Sequence, residues 1–508
     1  MQLSAKILEQ VNKQQVMVPA DSLLTLPEKV LQFGTGVLLR GLPDYFIDKA
    51  NRQNIFNGRI VVVKSTNNGG TDAFKEQDGL FTLLERGVEN GMRLEKMMIN
   101  AAISRVLSAK EEWDKILQCA ANPAMQVIIS NTTEVGIALV ESDAHTTKPV
   151  SFPGRLLNFL ETRYTLFDGS DEAGMVIIPT ELIPENGTQL KNILLSLAKL
   201  KNAPGPFIHW LTNANDFCNS LVDRIVPGKL SVADQSIVEG QAGYQDKLMI
   251  MSETYRLWAI ETTRERTKAI LSFSKTDAGV ILSPDINKFR ELKLRLLNGT
   301  HTFSCGLALL SGSKTVKEAM DNEPFAHYVS SLMLQEIAPL VAKNDISPDE
   351  ANHFSAQVID RFKNPYIEHL WLSITVQYTS KMAMRTVALV EKHYANNTEV
   401  PALMALGFAA FILFMRSAKK TDDTFYGEQN GVNYRIQDDK AYLLYAKWHD
   451  SNRNTLVENI LSDKAIFGTD LTQYPGFPDA VNLYLTSLMQ NGTIDTLRSV
   501  MTKKRQHE

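Results

Sequence analysis

The apolar positions in the first half of the chain fall into short runs, each closed by a polar or glycine-rich turn. Glu28–Phe33, Arg59–Lys64 and residues 125–130, 174–179 and 207–211 are rich in β-branched or aromatic residues, as expected for strands covered on both faces. Between them, residues 110–121 and 190–200 repeat apolar side chains at helical spacing. Strands alternating with helices predict an α/β unit, a Rossmann-like doubly wound parallel sheet. After about residue 280 long helical patterns take over, interrupted at Asp321-Asn-Glu-Pro324, Lys363-Asn-Pro365 and Thr421-Asp-Asp423, with no strand of comparable clarity. The pattern divides the chain into an α/β domain over residues 1–283 and a mainly α-helical domain over 284–508, with the boundary near Ser283-Pro284.

In doubly wound sheets, ligand-binding groups gather at the C-terminal ends of the strands. There the chain carries Ser130-Asn-Thr-Thr-Glu134, then Thr180-Glu181 through Asn186-Gly187, then Asn213-Ala-Asn215. The first strand ends in Phe33-Gly34-Thr35-Gly36, followed by helical character. A strand, a glycine turn and a helix start form the opening of a dinucleotide fold, because glycines let the backbone approach a pyrophosphate. The third glycine of the GxGxxG pattern is replaced by Leu39, which leaves an ordinary glycine turn as the alternative. The second strand ends in Lys64-Ser-Thr66, where an acidic residue would hold the adenosine ribose of NAD. A lysine there suits a 2′-phosphate or is simply solvated, so chemistry alone leaves NAD and NADP both open.

Composition narrows the classes. The 508 residues are 44% hydrophobic and 22% charged with a net charge of −4, a balance that excludes a bulk electrostatic role on nucleic acid or an anionic membrane. Cys119, Cys218 and Cys305 form no CxxC pair, which fits a reducing compartment. The N-terminus has no apolar signal region. The longest apolar run, residues 402–415, is shorter than the ~20 residues of a membrane span and reads as a core helix. A cytoplasmic protein is expected. No HExxH is present and the histidines form no ligand cluster, so no metal is expected; His209 reads as a satisfied core histidine.

The stretch richest in candidate chemistry opens the helical half: Lys293-Leu-Arg-Leu-Leu-Asn298-Gly-Thr-His301. On an α-helix, Asn298 lies about 140° and His301 about 80° around from Lys293, so the three share one broad face. An amine among leucines loses solvation, which moves it toward the range of a general base. The carboxamide can donate to a developing alkoxide, and the imidazole can hold a substrate hydroxyl. The plainer alternative is an amphipathic helix with its polar face in water.

Five segments in order resemble the mannitol dehydrogenase family of polyol-specific long-chain dehydrogenases. They are Phe33-Gly-Thr-Gly36 with Arg40, Gln77-Asp78-Gly-Leu-Phe-Thr82, Asn219-Ser-Leu-Val-Asp-Arg-Ile-Val-Pro227, Lys293-x4-Asn298-x2-His301 and Arg361-Phe-Lys-Asn-Pro365. The resemblance implies NAD-linked, zinc-independent hydride transfer. It places Phe33, Gly34, Thr35, Gly36, Arg40, Lys64 and Asp78 at the cofactor, and gives Lys293 the role of general acid/base. Asn298 with Asn186 would bind the reacting oxygen, and His301 would orient the substrate. Glu181-Leu-Ile-Pro-Glu-Asn-Gly187 departs from mannitol and fructuronate members and points to a sugar-acid branch. Its carboxylate needs a cation, for which Arg385 and Lys381 are the candidates. Glu134 reads as a proton gate or a turn carboxylate, and Asp223 with Arg224 as a structural ion pair. The expected partner is a small-molecule sugar acid, with the protein a monomer or small homo-oligomer. Two other readings stand beside this one: a fructuronate or mannitol enzyme, and a non-catalytic nucleotide-binding sensor of sugar acids.

Overall fold

The computed structural model describes residues 1–65, 70–132, 136–343, 345–429 and 431–505. The chain forms two compact units, Met1–Gly87 with Arg93–Ile286, and Asn287–Glu508 with Val88–Met92.

The strands of the first unit begin with β1 (Glu28–Phe33), β2 (Arg59–Lys64), β3 (Phe81–Glu89), β4 (Met92–Asn100), β5 (Ile103–Ser108), β6 (Val127–Ser130), β7 (Val176–Pro179) and β8 (Asp216–Phe217). Six of them form one parallel sheet in the order β5-β2-β1-β6-β7-β8. The chain moves outward from β1 on one side and returns to β6 on the other, so the reversal lies between β1 and β6. Alternate residues feed two cores: Val30, Ile60, Val62, Val127, Ile129, Val176 and Ile178 on one face, and Leu31, Phe33, Val61, Val63, Ile128 and Ile177 on the other. Two covered faces explain why these strands read as unbroken apolar runs.

The strand expected at 207–211 is instead part of a helix, Gly205–Asn213. Its buried residues Phe207, Trp210 and Leu211 stand at spacings of three and one, a helical stripe with no strand alternation. His209 lies on the exposed side of that helix with Asn213 Nδ2 3.1 Å from its Nδ1, so it is not a core histidine. The last strand of the sheet is the two-residue β8, and Asn213-Ala-Asn215 precedes it. The sequence pattern also hides the β3–β4 hairpin, which sheets with β10 (Ile250–Ser252). It hides as well a sheet in which β11 (Leu257–Glu261) lies between β9 (Ser220–Asp223) and β12 (Val280–Ser283).

The second unit is mainly helical around Ala402–Phe414, which is buried on nearly every side. No described helix is long and apolar enough to cross a membrane. Three strands appear where none was expected: β13 (Lys419–Thr421), β14 (Thr424–Gln429) and β15 (Val432–Ile436), paired antiparallel. They are short and largely exposed, so no apolar run announces them. Among the described residues, three helices contain a π-turn, at Lys293–Gly299, Leu332–Ile337 and Ala383–Val387.

Candidate active site

In the sheet unit, the backbone at the β1 turn is the candidate ligand surface. Gly34 N donates to Val63 O at 3.0 Å and Asn131 N donates to Phe33 O at 3.1 Å, which suspends the turn between β2 and β6 at the reversal. Gly34 has φ 128°, and a Cβ there would stand 2.9 Å from both Asn131 O and Leu39 Cδ1. Leu39, at the third-glycine position, therefore folds back onto Gly34. Close packing passes to Gly41, where a Cβ would meet Val226 at 2.8 Å. Gly36 is exposed and faces open space, while Thr35 beside it is half-buried. A bare, accessible backbone at this point fits the approach of a dinucleotide pyrophosphate.

The neighbouring side chains do structural work. Arg40 is buried, donates to Leu248 O at 2.5 Å and packs over the rings of Phe74 and Phe81, so it does not reach toward a cofactor. Asp78 is an exposed turn residue at φ 54° that accepts from Ala5 N at 2.9 Å; it fastens the N-terminal segment. Asn186 is fully buried. Its Nδ2 donates to Pro179 O, Glu181 O and Ser220 O at 3.0, 3.0 and 3.1 Å, and its Oδ1 accepts from Gly187 N and Ser220 N, both at 2.9 Å. No donor is left for a substrate oxygen, so the oxyanion role expected of Asn186 gives way to a backbone latch. Arg224 pairs with Glu85 at 2.6 Å, both buried, and not with its neighbour Asp223. Lys64 closes β2 half-buried. Thr66 and Glu134 lie outside the described residues.

Two buried carboxyls here were not singled out as working groups. Glu181 accepts from Ser130 Oγ at 3.1 Å, Thr132 N at 2.9 Å and Thr132 Oγ1 at 3.0 Å, which ties the ends of β6 and β7 together. Asp44 has no hydrogen-bonding partner of good geometry on either oxygen. Burial above all raises it to about 8, against the opposing pull of Arg40 and Gln32.

In the helical unit the candidate chemistry is carried by side chains. Residues 287–310 form one continuous helix whose π-turn spans Lys293–Gly299. A π-turn bonds i to i+5, so Lys293 and Asn298 stand on successive turns instead of the 140° apart that about 100° per residue would give. Both are half-buried. The Asn298 carbonyl accepts from Thr302 Oγ1 at 2.7 Å, while its carboxamide makes no hydrogen bond to any described residue.

His301 is buried, stacked on Phe362 at 4.2 Å and 8°, with His369 and Trp371 edge-on at 5.2 and 5.8 Å. Its Nε2 is buried without a partner. Burial first, then the fields of His369, Arg361, Arg385 and Lys381, hold its pKa well below the ordinary range, so the imidazole is neutral. Lys381 Nζ donates to Ile374 O at 2.8 Å and Arg385 Nη1 to Thr302 Oγ1 at 3.3 Å. Neither cation has a carboxylate partner among the described residues, and burial lowers the pKa of both. The structure thus brings His301, Lys381 and Arg385 together and adds Arg361 and His369. Arg361 stood in a quoted motif without a role; nothing in the local sequence marks His369. Among the described residues, no group of three or more His, Cys, Asp or Glu could hold a metal.

Residues 28–271 match the family model of the mannitol dehydrogenase Rossmann domain, and residues 285–489 that of the mannitol dehydrogenase C-terminal domain. The chain is 34% identical over 487 residues to an altronate oxidoreductase of Halalkalibacterium halodurans, covering 94% of each chain. It is 33% identical over 481 residues to an altronate oxidoreductase of Escherichia coli O7:K1, covering 93% of this chain and 96% of the other. A substrate-free D-sorbitol dehydrogenase has a similar fold, with TM-score 0.78 at 18% identity over 98% of this chain and 100% of that one. The ternary complex of Pseudomonas fluorescens mannitol 2-dehydrogenase with NAD and D-mannitol gives TM-score 0.68 at 23% identity over 99% and 100%.

Proposed function

The chain belongs to the mannitol dehydrogenase family and is an oxidoreductase, and from that premise we propose that it interconverts D-altronate and D-tagaturonate with NAD, in hexuronate breakdown. The observation that carries the substrate is the pair of half-buried cations, Lys381 and Arg385, without a carboxylate partner among the described residues and beside a neutral imidazole. Burying a charge is costly unless it is paired, and an anionic ligand supplies the pair. An uncharged polyol such as mannitol would leave both cations unmatched. The altronate oxidoreductases that this chain resembles are named for such an acid.

The residues divide the work as follows. The turn Phe33, Gly34, Thr35 and Gly36 would hold the pyrophosphate of NAD, with Lys64 toward its adenosine end. The nicotinamide, when bound, would supply hydride chemistry at the reacting carbon of the substrate. Lys293 accepts the hydroxyl proton during altronate oxidation and returns it during tagaturonate reduction. Asn298 donates to the reacting oxygen as charge develops there, a preorganised donor that needs no reorganisation during the step. His301 meets a substrate hydroxyl at Nε2, and Arg385 with Lys381 binds the carboxylate.

The test is NADH consumption followed by absorbance with tagaturonate, fructuronate and fructose in parallel, repeated with NADPH. Tagaturonate with NADH should give the highest turnover. Faster reduction of fructose or fructuronate would replace the substrate assignment, and no turnover with any of the three would leave the sensor reading.

A further inference from the structure

Arg295 sits on the same π-turn as Lys293 and Asn298, yet its side chain does not join theirs. It is buried, and its Nη1 donates to Met384 O at 3.2 Å and Arg385 O at 3.0 Å. Those two carbonyls belong to the second π-turn, Ala383–Val387, which carries Arg385. Its Nε meets Glu291 Oε2 at 3.2 Å, and the same oxygen lies 3.7 Å from Lys392 Nζ. Contact returns from the other side, because Arg385 Nη1 donates to Thr302 Oγ1, which itself donates to Asn298 O. The turns also approach closely at Gly299, where a Cβ would stand 3.9 Å from Arg385 O and 3.5 Å from Leu389 Cδ1.

A π-turn takes backbone carbonyls out of the regular i→i−4 ladder, so its shape depends on partners outside the helix. At the third π-turn the acceptor is a side chain: the Glu336 carboxylate accepts from Leu403 N and Met404 N, both at 2.9 Å. At Ala383–Val387 the outside partner is a guanidinium, which cannot deprotonate and presents fixed, planar donors.

We propose that Arg295 is a positioning residue that sets the anion-binding turn against the proton-transfer turn. It fixes the separation between the substrate's carboxylate and its reacting carbon, and so selects a sugar acid of one chain length. The proposal rests on the reading of Arg385 as the carboxylate's partner.

The test uses the full-length protein and a double-mutant cycle on the KM for altronate, with R295M, R385A, R295K and R295M/R385A, and thermal unfolding recorded for each. R385A should raise KM about 10- to 100-fold, the range expected for losing a hydrogen bond to a charged group. R295M should raise KM by a comparable factor at a temperature well below its unfolding midpoint. The double variant should be no worse than the poorer single one, since residues acting through one another are not additive. R295K, which keeps one donor and the charge, should fall between R295M and the parent. An effective R385A beside a silent R295M, or beside factors that multiply in the double variant, would overturn the positioning role alone. A silent R385A would overturn the carboxylate reading and the positioning role with it.

Discussion

Asn186 in the sheet unit and Asn298 in the helical unit are the same side chain marked for the same task, and the two regions use them in opposite ways. In the sheet unit, three side chains marked for the site are committed to backbone groups: Asn186 makes five such contacts, Arg40 holds Leu248 O, and Asp78 holds Ala5 N. What they leave accessible is the backbone at Gly36. On the helix 287–310 the backbone is occupied by the helix itself, and the side-chain groups without a described partner include the Asn298 carboxamide, His301 Nε2, Thr300 Oγ1 and Ser304 Oγ. A pyrophosphate can be met by a chain of N–H groups. A substrate whose carbon changes hybridisation needs individually placed donors and a proton carrier. The difference teaches that residue type alone does not mark a working residue, because the same carboxamide is a backbone latch in one setting and an uncommitted donor in the other.

The largest expected effect bears on the helical side of this comparison. Lys293→Ala should lower turnover at neutral pH by about 10⁴-fold, the upper end for a general acid/base, with NADH binding nearly unchanged in a fluorescence titration. Near-normal turnover would remove Lys293 from the proton path. Next comes the asparagine pair itself. Asn298→Ala should reduce kcat by about 10²–10³-fold with the unfolding temperature almost unmoved. Asn186→Ala should cost about 3 kcal/mol of stability, because several buried backbone groups lose their partner, while folded molecules keep most of their kcat. If both variants lose kcat alike without losing stability, the contrast between the regions fails.

An effect on stability alone, with no change expected in turnover, belongs to Asp44, in the sheet unit. Its pKa in the folded protein, about 8, lies above the usual carboxylate range, so between those values the folded protein holds a proton that the unfolded chain has released. Stability therefore falls as pH rises through that window and levels off above it. Asp44→Asn keeps the shape of the protonated acid and cannot ionise. Its unfolding temperature should gain steadily on the parent's from about pH 5 to about pH 9. A constant difference across that range would show that Asp44 does not titrate there.

Much of the fold was legible because each central strand is covered on both faces, which writes its burial into consecutive apolar residues. The strand wrongly expected at 207–211 shows where that signal ends: five apolar-rich residues satisfy either period, and only Phe207, Trp210 and Leu211 facing one core decide for a helix. β13, β14 and β15 left no trace, since exposed strands bury little and follow no apolar pattern. In the site, Lys293, Asn298 and His301 were visible as residue types at a plausible spacing. Arg361 stood in a quoted motif without a role and His369 was unmarked, because their relation to His301 is set by loops and helix ends far away in the chain.

By itself the sequence determined the central strands β1, β2, β6 and β7, the glycine turn after β1 and the residue types gathered at Lys293–His301. These depend on local spacing and on the sign of burial, both of which are carried by neighbouring residues. Tertiary structure alone decided that Arg40, Asp78 and Asn186 face backbone partners, that a π-turn stacks Lys293 toward Asn298, and that Arg295 grips the turn bearing Arg385. Whether a polar group is occupied or free depends on what packs against it from elsewhere in the chain, and no local pattern encodes that.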